Sequence, residues 1–256
     1  MLGAIAGDMI GAPYERIPIK SKDINPVVAE FTDDTVLTVA IADWILNKTD
    51  CTATLKAYAR NYHNLPYGGS FRAWFNSDDN KPYYSFGNGS AMRVSPIGFA
   101  CGNVAEVLDV SRRSAKVTHN HPEGIKGAQA TALAVFLARS GRAKEDIRRE
   151  IATRFGYALD RSVDDIRPGY HFDVSCQGSV PEAIICFLDS DSFMDAIKNA
   201  ISLGGDADTM ACIAGGIAQA WYEQVPEPVV EAIRAKLTPD LLEVLDRFNE
   251  VYGCKY

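Results

Sequence analysis

Apolar residues recur every three to four positions along nearly the whole chain, and alternating runs of β-branched residues are almost absent. The first pattern lines one face of an α-helix, and the second is what half-buried strands require. The expectation is therefore an all-α fold, a single compact orthogonal helical bundle. Asp33 to Leu46 carries Val36, Leu37, Ala40, Ile41 and Trp44 on one broad face, with Thr32 as N-cap. Ile125 to Ala138 continues the period through Ala128, Ala132, Val135 and Phe136. Further helices are predicted near 51–63, 91–100, 103–116, 143–155, 180–188, 192–202, 208–222, 227–236 and 239–251. Three stretches, 12–30, 64–90 and 157–178, lack the period. Structureless connections beyond about 12–15 residues are uncommon in compact domains and often carry function.

The helix predicted at 208–222 is rich in small residues, among them Ala211, Ala214, Gly215, Gly216 and Ala218. Each interior glycine costs about 1 kcal/mol against alanine. Close approach of a neighbouring helix at the centre of the bundle would offset that. The acidic start of this helix would then lie in the middle of the molecule.

The 256 residues show no linker, repeat or low-complexity tract, so one domain spanning 1–256 is expected. A net charge of −7 argues against general nucleic-acid binding, which calls for a basic face, but not against a single nucleotide-like ligand. The six cysteines form no Cys-x-x-Cys pair and several sit in apolar runs, as small buried hydrophobes of a reducing compartment do. There is no signal-peptide pattern at Met1–Asp8 and no run of about 18 apolar residues, so a cytoplasmic protein with no membrane span is expected, as a monomer.

Two acidic clusters each open a helix-patterned segment: Thr32-Asp33-Asp34 and, far along the chain, Asp206-Ala207-Asp208-Thr209 after Gly204-Gly205. Alone, each reads as a cap with acids complementing the helix dipole. Together they offer carboxylate and hydroxyl oxygens suited to hard cations such as Mg²⁺ or Mn²⁺, and two such ions need several shared oxygens. Asp8 reads first as a buried acid accepting from helix-end amides. Glu15, just beyond it on the first long loop, is the better candidate for a movable carboxylate near a metal-bound water.

Ser85-Phe86-Gly87-Asn88-Gly89 is a glycine-rich loop opening a helix, where free amides make an anion site, though it lacks the lysine of a nucleotide-triphosphatase loop. Phe86 reads as packing or as a stacking platform. His119 and His121 have no third ligand at zinc-site spacing, so capping, with one imidazole near a ligand, is the better reading. Gly178-Ser179-Val180 precedes Pro181 at what reads as another loop-to-helix junction.

In order, GDMIGAPYE, FTDDT, GNGSAMR, THNHPEG and SVPEAI…SLGGDADTMA resemble the ADP-ribosylglycohydrolase family, over Gly3 to Tyr222. The resemblance implies an all-helical fold with a central cleft holding two Mg²⁺ or Mn²⁺ ions, with Thr32, Asp33, Asp34, Asp206, Asp208 and Thr209 as ligands. It places Glu15 on a mobile flap, Ser85, Phe86 and Gly87 at a diphosphate, His119 in the cleft, and Gly178, Ser179 and Val180 beside ribose and phosphate. The implied activity is hydrolysis at C1″ of an ADP-ribosyl group. Asp208 or Asp34 would act as base, on an ADP-ribosylated protein or a small ADP-ribose conjugate. Arginine is the favoured acceptor, with serine, nucleic-acid bases and O-acetyl-ADP-ribose open. Two rivals stand beside this. Asp206-Ala207-Asp208-Thr209 spells a haloacid-dehalogenase-like phosphatase motif, which belongs after a β-strand, and a silent ADP-ribose-binding relative would keep the bundle without the chemistry.

Overall fold

Helices account for all the regular structure of the computed structural model, which describes residues 1–256. In order they are α1 (Leu2–Gly11), α2 (Asp33–Asn47), α3 (Cys51–Asn61), α4 (Gly69–Asn76), α5 (Gly89–Met92), α6 (Ser95–Ala100), α7 (Val104–Lys116) and α8 (Pro122–Arg139). There follow α9 (Lys144–Phe155), α10 (Val163–Ile166), α11 (Cys176–Leu188), α12 (Phe193–Ser202), α13 (Ala207–Tyr222), α14 (Glu227–Lys236) and α15 (Pro239–Tyr252). The one β-type pairing is an isolated antiparallel bridge, Gly87 to Ser175. The fold is all-α. The Asp206-x-Asp208 motif follows α12 instead of a strand, which removes the structural premise of the phosphatase reading.

At the centre lies α13, buried at every position from Ala207 to Ala220. Its most extensive neighbour is α1, with α12, α11 and α8 around it. Gly3, Gly7 and Gly11 of α1 face Gly215, Ala211 and Ala207 of α13, so the two backbones run in direct contact. A Cβ on Gly11 would lie 2.5 Å from the Ala207 carbonyl oxygen, and those on Gly3 and Gly7 would also fall inside van der Waals distance of α13. The approach explains Gly215 of α13, while Gly216 lies against Ser95 of α6, and it sets Asp8, between Gly7 and Gly11, against the start of α13. The hydrophobic core is continuous from Met1 to Phe248, so both ends of the sequence share it. All six cysteines are free. No helix is long and apolar enough to cross a membrane.

Several predicted boundaries differ from those observed, among them a short helix, α10, within the stretch 157–178. The single helix expected over 91–100 is two, because Pro96 has no N–H and its ring excludes the carbonyl four residues back. That carbonyl, on Met92, accepts instead from Thr38 Oγ1 at 3.4 Å and Cys212 Sγ at 3.3 Å. Within the stretch 64–90 lies α4, whose Phe71, Trp74 and Phe75 do follow helical spacing and are buried. A 3-10 turn occupies Ala12–Tyr14 in the stretch 12–30. Finally, α11 begins at Cys176, capped by Ser175 Oγ accepting from the Gly178 amide at 3.1 Å, and runs through Pro181. Gly178, Ser179 and Val180 are thus helical and not part of a loop.

Candidate metal centre and ligand cavity

Asp33 and Asp34 are the first two residues of α2, and Thr32 caps that helix, its hydroxyl accepting from the Asp34 amide at 3.3 Å. Asp8 of α1 completes the junction. Its two carboxylate oxygens accept from Thr32 N (3.0 Å), Thr32 Oγ1 (2.7 Å), Thr35 N (3.1 Å) and Thr35 Oγ1 (2.5 Å). Asp8 is therefore a buried acid holding helix-end amides, and it ties α2 to the central pair.

From the other side, Asp206 N-terminally flanks α13, whose first turn carries Asp208 and Thr209. Asp208 Oδ1 accepts from the Thr209 amide at 2.9 Å, and Thr209 Oγ1 donates to Asp34 Oδ2 at 3.4 Å. The two acidic clusters, distant in sequence, are in contact. Carboxylate oxygens of Asp8, Asp34 and Asp208 lie within 4.8 Å of one another, and so do those of Glu15, Asp206 and Asp208. Asp208 belongs to both groups.

These acids are poorly compensated. No ion pair in the molecule uses Asp33, Asp34, Asp206 or Asp208, and Glu15 has only Arg16 at 3.9 Å. Asp34 Oδ1 is buried with no hydrogen-bond partner at all. Burial, then the neighbouring Asp8 carboxylate, pushes Asp33 up to about 7. Burial, then Asp208, holds Asp34 well above the usual carboxylate range, and burial, then Asp206, does the same to Asp208. Glu15 is raised by burial and by Asp206, against a smaller opposing pull from Arg16. An orphaned buried oxygen among crowded hard oxygen donors fits a divalent cation, which would neutralise a repulsion that no lysine or arginine relieves at the four aspartates.

The clusters open onto a cavity of about 390 Å³, within the range of small-molecule sites. Glu15, Asp33, Asp34, Asp206, Asp208 and Thr209 line it, as do Ser85, Gly87 and His119. Thr32 does not, its hydroxyl hydrogen being committed to Asp8. Phe86 is exposed beside the cavity, its ring 5.3 Å from that of His121. Gly178, Ser179 and Val180 lie outside the lining: Ser179 Oγ donates to the Ser175 carbonyl and Val180 is fully buried.

The glycine-rich loop is fastened to the start of α11. Asn88 N donates to the Val174 carbonyl at 2.7 Å and Cys176 N to that of Phe86 at 2.8 Å. Gly87 N donates to Ser85 Oγ at 3.1 Å. Two amides that sequence reasoning left free for an anion are therefore engaged within the protein, while the Ser85 hydroxyl keeps its hydrogen. Asn88 Nδ2 donates to Asp206 Oδ2 at 2.7 Å, linking loop to acidic cluster. His119 is buried beneath the loop, and burial, then Arg93, pushes its imidazole well below its ordinary value. His121 caps α8 through Nδ1, which accepts from the Glu123 amide at 3.1 Å.

Sequence reasoning passed over Asn88, Arg93, Tyr83 and the segment around Gly68, Gly69 and Ser70, all of which line the cavity. Asn88 stood inside a quoted motif, and its amide beside an acidic cluster gave no local sign of the partner. The 68–70 segment opens α4, the helix hidden in a stretch that looked irregular.

A helical bundle with a carboxylate-lined cavity at its central helix is the class of protein that fold and site define. The sequence profile of the ADP-ribosylglycohydrolase family matches residues 1–255, and the chain belongs to that family. It is 29% identical over 311 residues to the mouse (Mus musculus) ADP-ribosylhydrolase ARH3, covering 89% of this chain and 84% of that one. It is 28% identical over 302 residues to the ADP-ribosylarginine hydrolase Tri1 of Pseudomonas putida, covering 100% and 80%. A solved chain described as an ADP-ribosylglycohydrolase-related protein complex superposes with a TM-score of 0.73 at 24% identity, over 96% of this chain and 95% of that one, and shares the fold.

Proposed function

We propose that this protein is a divalent-metal-dependent hydrolase that removes ADP-ribose from a modified acceptor by cleaving the bond at C1″, with ADP-ribosylated arginine of a protein as the favoured substrate. The observation that carries the reading is the meeting of Asp33 and Asp34 with Asp206, Asp208 and Thr209 on one cavity that also holds Ser85, Gly87 and His119. Arginine is favoured by the likeness to Tri1. Serine-linked, nucleic-acid-linked and O-acetyl conjugates present the same ADP-ribose half.

Asp33, Asp34, Asp206, Asp208 and Thr209 would hold two Mg²⁺ or Mn²⁺ ions, with Asp208 common to both groups and Thr32 orienting Asp34 through its amide. Such ions supply positive charge that orients ribose hydroxyls and makes water a stronger acid. Asp208 or Asp34 would take a proton from the water as its oxygen bonds C1″, and the acceptor, departing with the electron pair of the broken C1″ bond, would take up that proton. Glu15, half-buried at the loop start, orients the substrate or gates the mouth. The Ser85 hydroxyl and the His119 ring hold the diphosphate, so that binding energy remote from C1″ positions the reacting carbon. Elsewhere on the Glu15 loop, Lys20 Nζ donates to the carbonyls of Tyr170 (2.6 Å) and Leu203 (2.5 Å), which anchors the segment across the site.

The test is release of ADP-ribose from a panel of arginine, serine and nucleotide conjugates with Mg²⁺ present, for the natural protein and for Asp33→Asn and Asp208→Asn. Both variants should fold and lose turnover. Full turnover in either would remove it from the centre, and inactivity of the natural protein on every conjugate would reject the proposal.

A further inference from the structure

His119 meets the cavity with one ring nitrogen and the protein interior with the other. Nε2 faces the glycine turn, where a Cβ on Gly89 would sit 3.3 Å from it and one on Gly87 3.6 Å. Nδ1 lies 2.8 Å from Thr118 Oγ1. Burial and the nearby Arg93 charge both disfavour the imidazolium, so the ring carries one proton. Where that proton sits decides whether the ring offers the cavity a donor or a lone pair.

Arg93 biases the choice through Thr118. The guanidinium is wholly buried, and its Nη2 donates to Thr118 Oγ1 at 3.0 Å and to the Ser114 carbonyl at 2.8 Å. Its Nε and Nη1 have no partner, so Thr118 is the one side-chain acceptor this cation has. A guanidinium only donates, so the threonine oxygen must accept from it. The hydroxyl hydrogen is then left over, polarised by the cation behind it, with the Nδ1 lone pair in reach. A hydrogen on Nδ1 would instead aim a second N–H dipole at an oxygen already facing a positive charge. The aligned order, Arg93 to Thr118 to His119, is the one in which each bond strengthens the next.

We infer that Thr118, held by Arg93, is a positioning residue that fixes His119 as the neutral Nε2–H tautomer, so that the ring donates into the cavity towards diphosphate oxygens. With Gly87 N and Asn88 N engaged inside the protein, this N–H and the Ser85 hydroxyl are donors the loop region still offers an anion. The inference rests on the ADP-ribose reading for its ligand but not for the tautomer.

The experiment labels histidine with ¹⁵N and reads long-range proton–nitrogen correlations of the metal-free, ligand-free protein, the His119 signals being assigned by their loss in His119→Gln. The expected wild-type pattern is Nε2–H. Thr118→Val should lose that single pattern, and its Kd for ADP-ribose should rise about tenfold, equivalent to about 1.4 kcal/mol. Its Mg²⁺-induced rise in melting temperature should match that of the natural protein. Thr118→Ser, which keeps the hydroxyl, should restore both tautomer and affinity. An Nδ1–H pattern in the natural protein overturns the inference even if Thr118→Val does not fold. So does a Thr118→Val protein that keeps the Nε2–H pattern. A natural protein that bound no ADP-ribose would reject the reading of the cavity, while the spectrum would still decide the tautomer.

Discussion

Asp8 and Asp34 are both buried carboxylates within ligand reach of Asp208, yet they act on the fold in opposite ways. Asp8 takes four hydrogen bonds from Thr32 and Thr35, so its loss strands donors in the interior. Leaving buried donors unsatisfied costs about 1–3 kcal/mol. Asp8→Ala should therefore lower unfolding free energy by about 3 kcal/mol, read as a drop in urea midpoint at constant slope, and an unchanged midpoint would show that Asp8 does not hold α2. Asp34 has one oxygen with no partner and the other only at 3.4 Å from Thr209, amid like charges. Asp34→Asn keeps the shape and removes the cost of either burying that charge or holding a proton on it. We expect the metal-free variant to melt a few degrees higher, a gain of about 1 kcal/mol, while Mg²⁺ no longer raises its melting temperature as much and hydrolysis is lost. A lower melting temperature for the metal-free variant would contradict the picture of an electrostatically strained cluster.

At the scale of elements, the contact of α1 with α13 is what joins the clusters. Gly7→Ala gains about 1 kcal/mol of helix propensity but drives a methyl into the backbone of α13 at Ala211. Overpacking a rigid contact costs about 1–3 kcal/mol, and here the obstacle is backbone, which cannot swing aside. A net loss of about 2 kcal/mol is expected by chemical denaturation. Gly69→Ala, where a Cβ meets nothing within 4 Å, should shift stability by less than about 0.5 kcal/mol. Equal effects at the two positions would mean the approach is looser than it stands. Half of this contact was legible in the sequence: the small residues of α13 announced a close neighbour. Gly3, Gly7 and Gly11 carry the matching spacing on α1. Which helix pairs with which, however, is a tertiary fact that periodicity does not encode. The spacing does not announce α4, because its aromatics span a single short helix between Gly, Ser, Asn and Asp residues, and Pro181 reads as a first-turn residue, which places the start of α11 too late. The central acids were legible because each opens a helix. The partners that complete the site, Asn88 on Asp206 and Arg93 behind His119, act across long sequence separations and left no local pattern.

For the whole molecule, gathering acids from both ends of the chain makes stability and metal affinity depend on pH in opposite senses. Asp33 is pushed from its ordinary 3.8 to about 7 in the folded protein, and Asp34, Asp206, Asp208 and Glu15 shift in the same direction. A carboxyl whose folded value is raised binds protons more readily folded than unfolded, so its contribution is fully present below about pH 4 and is lost as pH rises through the folded value. Considering these groups, the metal-free protein should lose stability between about pH 4 and 7. A bound cation must displace those same protons, so its affinity rises over that window. Ligand at a hundred times its Kd stabilises by about 2.7 kcal/mol, and the full increment should be available only once the acids are ionised. Melting curves with and without Mg²⁺ or Mn²⁺ at pH 5.5 and pH 8 check this, with the metal-induced rise expected to be larger at pH 8. A rise as large at pH 5.5 would mean that the cation binds without titrating this cluster, and the centre would have to be sought among other groups.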